Sequence, residues 1–277
     1  MTLSGFELLV YSLCMFGEIN PREKIIRRDS GIEDTEDNTS GVTEHSPSKD
    51  ITISVNDVME FKRVHCDENA IIKTMLTKEF LQYLEGKILD VGGGTADILS
   101  EVLPEGDVAH LDVLDFSHIG TPEAHQRITG DFFDASIIEK LGPIDTLFMS
   151  HVQQFIDSDL EKLRTAIQKV NAKRIILIED INDDFLGDVM KFSLQNFSGA
   201  NPEVKIEGFP YGYNKTKSDP FTATLASGTF SDLTKQCLYL MDVAHTEENL
   251  TKMQGFLEQK LSSPTFTINQ EINVYEK

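Results

Sequence analysis

The fold is decided by one stretch, Lys87-Ile88-Leu89-Asp90-Val91-Gly92-Gly93-Gly94-Thr95. Its first half is a short apolar run with the length of a buried strand, and the three glycines let the backbone turn sharply. Apolar residues then return at helical spacing, at Ile98, Leu99, Val102 and Leu103, until Pro104. The stretch therefore predicts a strand, a glycine turn and a helix in succession.

The same alternation continues through the middle of the chain. Further strand-length segments occur at residues 108–114, 126–129, 144–149 and 174–178, and stripes of apolar residues at helical spacing follow them. Five strand–helix alternations predict a doubly wound, mostly parallel α/β sheet with helices on both faces.

The two ends of the chain depart from this pattern. We predict an N-terminal amphipathic helix region at 1–28, an acidic flexible linker at 29–55 and one folded domain at 56–277. The N-terminal helix is expected to form a helical cap on the core, or to pack on a second subunit and so form a homodimer. Within the domain we predict a lid inserted at about 200–235, a strand at 237–244, a helix at 246–260 and a terminal strand at 266–275.

Composition narrows the range of partners. The 277 residues include 25 Lys and Arg against 46 Asp and Glu, a net charge of -21. Nucleic-acid binding depends on basic residues that neutralise phosphates, so we expect no nucleic-acid partner. Solubility is the simpler interpretation of the acidity, and a cationic substrate or basic protein partner is the more specific one.

Cysteine usage and hydropathy indicate the compartment. Cys14, Cys66 and Cys237 are far apart and form no Cys-x-x-Cys pair. This argues against a structural zinc site and a disulfide framework, and favours a reducing, cytoplasmic location. The apolar start at residues 6–16 is too short to span a bilayer, so we expect no membrane association.

The residues of the glycine turn indicate which class of ligand it could bind. Glycines let the backbone approach a ligand closely, but such turns also serve dinucleotides and plain packing. The third glycine of the dinucleotide pattern is missing, because Ala96 and Asp97 stand there. Asp90 lies directly before the glycines, where a carboxylate would repel a pyrophosphate and attract an ammonium group. The turn thus favours a ligand with a cationic amino-acid part.

From Lys87 to Asp180 the chain resembles the class I S-adenosylmethionine (SAM)-dependent methyltransferases, and most of all the plant-type small-molecule O-methyltransferases. The resemblance lies in the order and spacing of three motifs, which are Asp90-Val-Gly92-Gly93-Gly94-Thr, Val113-Leu-Asp115-Phe116-Ser and Gly130-Asp131-Phe132-Phe. It implies a Rossmann-like class I methyltransferase fold with SAM as cofactor.

The same resemblance implies roles for individual residues. The glycines would lie against the methionine part of SAM, and Asp115, with Asp112 as the alternative, would accept hydrogen bonds from the ribose hydroxyls. Asp131 would hold the adenine amino group and Phe132 the adenine ring. The residues expected to bind the cofactor are Asp90, Gly92, Gly93, Gly94, Asp115, Phe116, Asp131, Phe132 and Ser150.

The chain departs from the family in two places that bear on catalysis. Ala96 replaces a glycine, and since alanine disfavours a positive φ, we expect a slightly different turn. Gln153 occupies the position of the family's base histidine, and His151 lies two residues earlier. Because the carboxyl ends of parallel strands carry ligand sites, His151 and Glu179 are the predicted catalytic residues. Each also has a structural interpretation, as a hydrogen-bonded histidine and a helix cap.

The predicted function is methyl transfer from SAM to an oxygen or nitrogen of a small organic molecule. Tyr211 and Tyr213 are the predicted substrate contacts, on the lid. No metal is expected, although the acidic residues near Glu179 leave that alternative open. A second hypothesis, favoured by Gln153, is a SAM-fold protein that binds cofactor without methylating, as a regulatory partner, lyase or cyclase.

Overall fold

The computed structural model describes residues 64–113, 116–117, 120–150, 160–181, 185–198, 200, 212–241 and 243–277. The predictions for the N-terminal helix at 1–28, its dimer contact and the linker at 29–55 lie outside these residues. Over the described ranges, no helix combines the length and the hydropathy needed to cross a membrane.

Seven strands form one sheet in the order β3-β2-β1-β4-β5-β7-β6. Their bounds are Ile88–Val91 (β1), Val108–Asp112 (β2), His125–Thr129 (β3), Thr146–Ser150 (β4), Arg174–Asp180 (β5), Asn214–Ala226 (β6) and Thr265–Glu276 (β7). Strands β1 to β5 are parallel, and β7 runs antiparallel to both β5 and β6. The predicted fold class, a doubly wound, mostly parallel Rossmann-like sheet, is confirmed.

Seven α-helices lie in the described ranges. Their bounds are Glu68–Met75 (α1), Asp97–Val102 (α2), Ala135–Leu141 (α3), Leu160–Val170 (α4), Phe185–Asn196 (α5), Phe230–Leu240 (α6) and Glu247–Lys260 (α7). A π-helical turn, Leu76–Phe80, and a 3-10 turn, Leu81–Tyr83, continue α1. These helices cover the apolar faces that a parallel sheet must bury.

The core is divided by the sheet. Helices α3 and α4 pack on one face, against residues such as Leu147 and Leu177, and α1 and α2 pack on the other, against residues such as Phe148 and Ile176. Strands β1, β2 and β4 are therefore buried on both sides, which is why their sequences read as nearly continuous apolar runs. A third cluster joins α5, α6 and α7 to the ends of β6 and β7.

The last third of the chain differs from the prediction. Much of the segment expected to form a lid is the long edge strand β6, followed by α6. The strand expected at 237–244 is wrong, because Cys237 and Leu238 lie inside α6. Thr229 starts this helix, since its Oγ1 accepts a hydrogen bond from the backbone N–H of Asp232 at 3.1 Å, as an N-cap does. The helix at 246–260 and the terminal strand are confirmed as α7 and β7.

Candidate functional site

The glycine turn lies at the switch point of the sheet. It follows β1, which has β2 and β3 on one side and β4 and β5 on the other. In open α/β sheets, a crevice forms at the carboxyl ends of the strands where the strand order reverses, and ligands bind there. The structure thus places Gly92, Gly93 and Gly94 where the sequence predicted a ligand site.

The turn contains three left-handed residues. Gly92, Gly94 and Ala96 have φ of 70°, 49° and 66°. The expectation that Ala96 would avoid a positive φ is wrong. Its N–H donates to the carbonyl of Gly93 at 2.6 Å, and α2 begins at the next residue. The turn keeps the backbone path of a glycine at this position and accepts a steric cost of about 1–2 kcal/mol for the alanine.

Two side chains from neighbouring strands hold this turn. The Asp112 carboxylate, at the end of β2, accepts a hydrogen bond from the Gly94 N–H at 3.1 Å. The guanidinium of Arg127, on β3, donates to the carbonyls of Gly94 and Thr95 at 2.6 and 2.7 Å. Burial lowers the pKa of Arg127, and the carboxylates of Asp90, Asp97 and Asp112 oppose that effect. The turn therefore has a carboxylate and a guanidinium beside its backbone.

Asp90 lies beneath the turn. Its side chain is buried, and its Oδ2 is 2.7 Å from Nδ1 of His110. His110 Nε2 is 2.9 Å from Nδ1 of His125, whose Nε2 is 2.8 Å from the Leu103 carbonyl oxygen. A Cβ at Gly93 would lie 2.5 Å from the same Asp90 oxygen. This oxygen therefore faces β2, and the predicted contact of Asp90 with a ligand ammonium group stays a prediction.

Sequence reasoning missed both histidines and Arg127. A signal for them exists, because His110 is a polar residue in the otherwise apolar stretch that leads to Asp112. Once the strand bounds are known, parallel register pairs Asp90 with His110 and His110 with Arg127. Side chains at such paired positions share one face of the sheet.

The predicted adenine residues lie after β3. Phe132 is buried, and Asp131 is exposed, with its Oδ1 accepting the Phe133 N–H at 2.9 Å. Phe132 and Phe133 contribute to a cavity of about 210 Å³ between α3 and α4. A Cβ at Gly130 would overlap Cδ1 of Ile137 on α3, so the end of that side chain would have to move. The segment thus combines an exposed carboxylate with a cavity that apolar residues line from α3 and charged residues line from α4.

The remaining predicted residues lie at different places. Ser150 ends β4 and is partly exposed, and Phe116 is buried. The described residues do not include Asp115, His151 or Tyr211, so their predicted roles stay predictions.

Glu179 is at the carboxyl end of β5, beside the end of β4. Its carboxylate is buried, and its Oε1 accepts a hydrogen bond from Nδ2 of Asn273 at 2.7 Å. Asp180, on the other face of the strand, accepts one from Nε2 of Gln270 at 2.6 Å. Both amides come from β7, about ninety residues later in the chain, which explains why local sequence patterns did not reveal them. Among the described residues, no three potential metal ligands converge.

Tyr213 lies at the other end of β5, beside the amino end of that strand. Its hydroxyl donates to the Ala172 carbonyl at 2.7 Å, just before β5 begins. The seven residues of β5 separate that point from Glu179 by roughly 20 Å at about 3.3 Å per residue. The structure therefore does not bring Tyr213 together with the predicted catalytic residue, and we interpret it as a packing residue.

No protein-family model and no curated protein sequence matches this chain. Among solved structures, a SAM-dependent methyltransferase from Archaeoglobus fulgidus is 16% identical, with a TM-score of 0.42 over 76% of this chain and 94% of that one. The methyltransferase domain of bacterial CtHen1 is 13% identical, with a TM-score of 0.40 over 76% of this chain and 98% of that one. MycE methyltransferase of the mycinamycin biosynthetic pathway, in complex with Mg and SAH, is 16% identical, with a TM-score of 0.32 over 55% and 44%. Overlap at this level defines neither a family nor a substrate for this chain.

Proposed function

We propose that this chain is a SAM-dependent methyltransferase that transfers a methyl group to an oxygen or nitrogen of a small organic molecule. The observation that carries the proposal is the glycine turn at the switch point. Its backbone is left-handed at three positions, and it is held from β2 by Asp112 and from β3 by Arg127. A turn of this kind lets a ligand lie directly against the main chain.

The residues present fit SAM in their chemistry. The Asp112 carboxylate, beside the turn, would accept hydrogen bonds from the ribose hydroxyls, and Asp115 is the choice that the sequence motif favours. The cavity at Phe132 and Phe133 would accept the adenine ring, and Asp131, which precedes Phe132 in the chain, would accept a hydrogen bond from the amino group. When bound, SAM supplies an electrophilic methyl group on a sulfonium sulfur.

The acceptor side of the proposal rests on the ends of β4 and β5. An oxygen or nitrogen nucleophile must lose a proton, and His151 or Glu179 would take it. Glu179 is buried and oriented by Asn273, so its carboxylate is held in one position. A small-molecule acceptor agrees with the net charge of -21, which disfavours nucleic acid. The likeness of the glycine motif to that of plant-type O-methyltransferases supports the same choice.

The cofactor part is tested by calorimetric titration with SAM and with S-adenosylhomocysteine (SAH). We expect saturable binding, and we expect Asp112→Asn to weaken it by roughly 1–3 kcal/mol through the loss of a charged acceptor. Asp188→Asn is the matched control, because Asp188 is an exposed residue of α5 whose nearest cation, Lys260, is 3.8 Å away. Absence of saturation at millimolar SAM and SAH, with protein that is folded by circular dichroism, would overturn the proposal.

The transfer reaction is tested separately. The protein is incubated with SAM and a panel of small phenols, alcohols and amines, and SAH formation is measured. We expect His151→Ala or Glu179→Gln to slow turnover while SAH affinity is unchanged. Tight SAH binding without turnover on any acceptor would support the hypothesis of a non-methylating SAM-binding protein instead.

A further inference from the structure

The side chains of Asp90, His110 and His125 form a buried relay that ends on the Leu103 carbonyl oxygen. The three contacts measure 2.7, 2.9 and 2.8 Å. All three side chains are buried, so water does not compete for these contacts. The relay crosses β1, β2 and β3 directly beneath Gly93.

The three contacts fix the number of protons that the relay must hold. A carbonyl oxygen only accepts, so Nε2 of His125 must carry a proton. Each of the other two contacts also needs one proton, because otherwise two lone pairs would face each other within 3 Å. The three contacts therefore require three protons, and two neutral histidines supply only two.

We infer that Asp90, His110 and His125 hold this third proton at neutral pH and act as a positioning device for the glycine turn. The proton lies between Asp90 and His110, as a carboxylic acid beside an imidazole or as a carboxylate beside an imidazolium. Either form keeps the relay neutral overall, which suits its buried position. With the third proton bound, the Asp90 side chain is held against His110 of β2 and supports Gly93 from below.

The surrounding charges agree with this proton position. Burial is the main cause that lowers the pKa of His125, and His110 and Arg127 lower it further, against the Leu103 carbonyl and Asp90, which raise it. His125 is thus the neutral end of the relay, protonated on Nε2. The carboxylates that face Arg127, besides Asp90, are Asp97 at the start of α2 and Asp112 on β2.

Loss of the third proton has a predictable effect. At alkaline pH one of the three contacts must bring two acceptors together, so the relay opens and the support beneath Gly93 is lost. The folded chain holds one proton more than the unfolded chain above the titration range of free histidine, about pH 6.5. Relay stability is therefore fully present at lower pH and falls as pH rises through the point where the folded state releases that proton.

Nuclear magnetic resonance of the full chain tests the relay without any ligand. Imidazole ¹H–¹⁵N and carboxyl ¹³C spectra should show His125 protonated on Nε2, together with either a doubly protonated His110 or a protonated Asp90, at pH 7. The backbone amide signals of Gly93 and Gly94 should titrate with the same alkaline midpoint. A singly protonated His110 beside an ionised Asp90 at pH 7 would overturn the inference. Amide signals of Gly93 and Gly94 that do not change as the relay titrates would overturn it as well.

A second test rests on the proposed function, since it measures SAH affinity from pH 6 to 9.5. We expect wild-type affinity to weaken by roughly tenfold as the relay opens, the effect of one charged hydrogen bond. In His125→Phe only the contact between Asp90 and His110 remains. The single proton of a neutral His110 satisfies it, so the profile should flatten. His245→Phe is the matched control, because His245 donates to the Lys235 carbonyl away from the turn, and it should keep the wild-type profile.

The two tests separate the two claims. A flat wild-type profile with measurable SAH binding would refute the coupling of relay to turn. If SAH does not bind at all, the proposed function fails, while the magnetic resonance measurement still decides the relay. If His125→Phe does not fold, the wild-type titration of the histidine and turn amides decides the matter alone.

Discussion

Gly93→Ala is the substitution that most directly tests how the glycine turn is built. Gly93 does not have a positive φ, so alanine is allowed by its backbone and any cost must come from contacts. The new Cβ would lie 2.5 Å from Oδ2 and 3.0 Å from Cγ of Asp90, and 3.1 Å from Nδ1 of His110. Asp90 is buried and bonded to His110, so relief of the clash requires that this bond lengthen or break.

The size of the effect follows from three contributions. Overpacking a well-packed site costs about 1–3 kcal/mol, and losing a hydrogen bond to a charged group costs about 1.5–3 kcal/mol. Replacing glycine reduces the entropy of the unfolded chain and returns about 0.4–1 kcal/mol. The clash is relieved when the bond between Asp90 and His110 lengthens or breaks, so the two costs do not add in full. We therefore expect a net loss of about 2 kcal/mol in the free energy of unfolding.

Urea denaturation followed by circular dichroism measures this loss. Gly255→Ala is the matched control, because a Cβ there meets no atom within 4 Å and the residue lies inside α7. The same chemical change should there stabilise the protein by up to about 1 kcal/mol through helix propensity. In an Asp90→Ala background, most of the cost of Gly93→Ala should vanish. A Gly93→Ala protein as stable as the wild type would refute this account of the turn.

Three other changes have expected outcomes. Ala96→Gly should raise the free energy of unfolding by up to about 1 kcal/mol, since it removes a left-handed alanine at the expense of unfolded-chain entropy; destabilisation in urea would contradict this. Arg127→Lys keeps the charge but loses the fork on two carbonyls, so it should cost about 1–3 kcal/mol by the same measurement, whereas Arg164→Lys, at an exposed position of α4, should be neutral. Burial raises the pKa of Cys237 to about 12, so a disulfide reagent at pH 8 should label it only after unfolding; labelling of native Cys237 as fast as Cys66 would be the contrary result.

The parallel half of the fold was predictable for a physical reason. Strands such as β4 and β5 are buried on both faces, so apolar runs of strand length stand out between helical stripes. The edge strand β6 was not recognised, because Lys215, Lys217 and Pro220 interrupt its pattern. Charges and proline are common on edge strands, which tolerate exposure and a missing donor. The alternation of Phe221, Ala223 and Leu225 was the signal that remained.

In helix α6 the error was the reverse, because a strand was predicted where the structure has a helix. Residues from Cys237 onwards form a short apolar run, and such a run does not distinguish a strand from a buried helix. The distinguishing feature was upstream, where Thr229 precedes Asp232 by three residues, the spacing of a helix N-cap. Leu233 and Cys237 then bury one helical face. Reading the cap before the apolar run would have given the correct element.

The candidate site, like the fold, was predictable from the sequence only in part. Local sequence located the glycine turn, because it lies at the end of a recognisable strand, and offered Asp112 as the alternative to Asp115. The partners that hold the site come from other strands, and only register brings them together. Asn273 reaches Glu179 from antiparallel β7, and Arg127 reaches the turn from β3. Such pairings depend on strand bounds to the residue, which apolar patterning does not supply.

The structure also changes the electrostatic picture of the turn. The sequence suggested that Asp90 presents a negative charge to a cationic ligand. In the fold, Asp90 is buried against His110, and with the third proton its charge is neutralised inside the protein. Asp112 is faced by Arg127, which itself bonds the turn. Asp97 also faces Arg127, so with Asp90 neutralised the side chains beside the turn carry two carboxylates against one guanidinium.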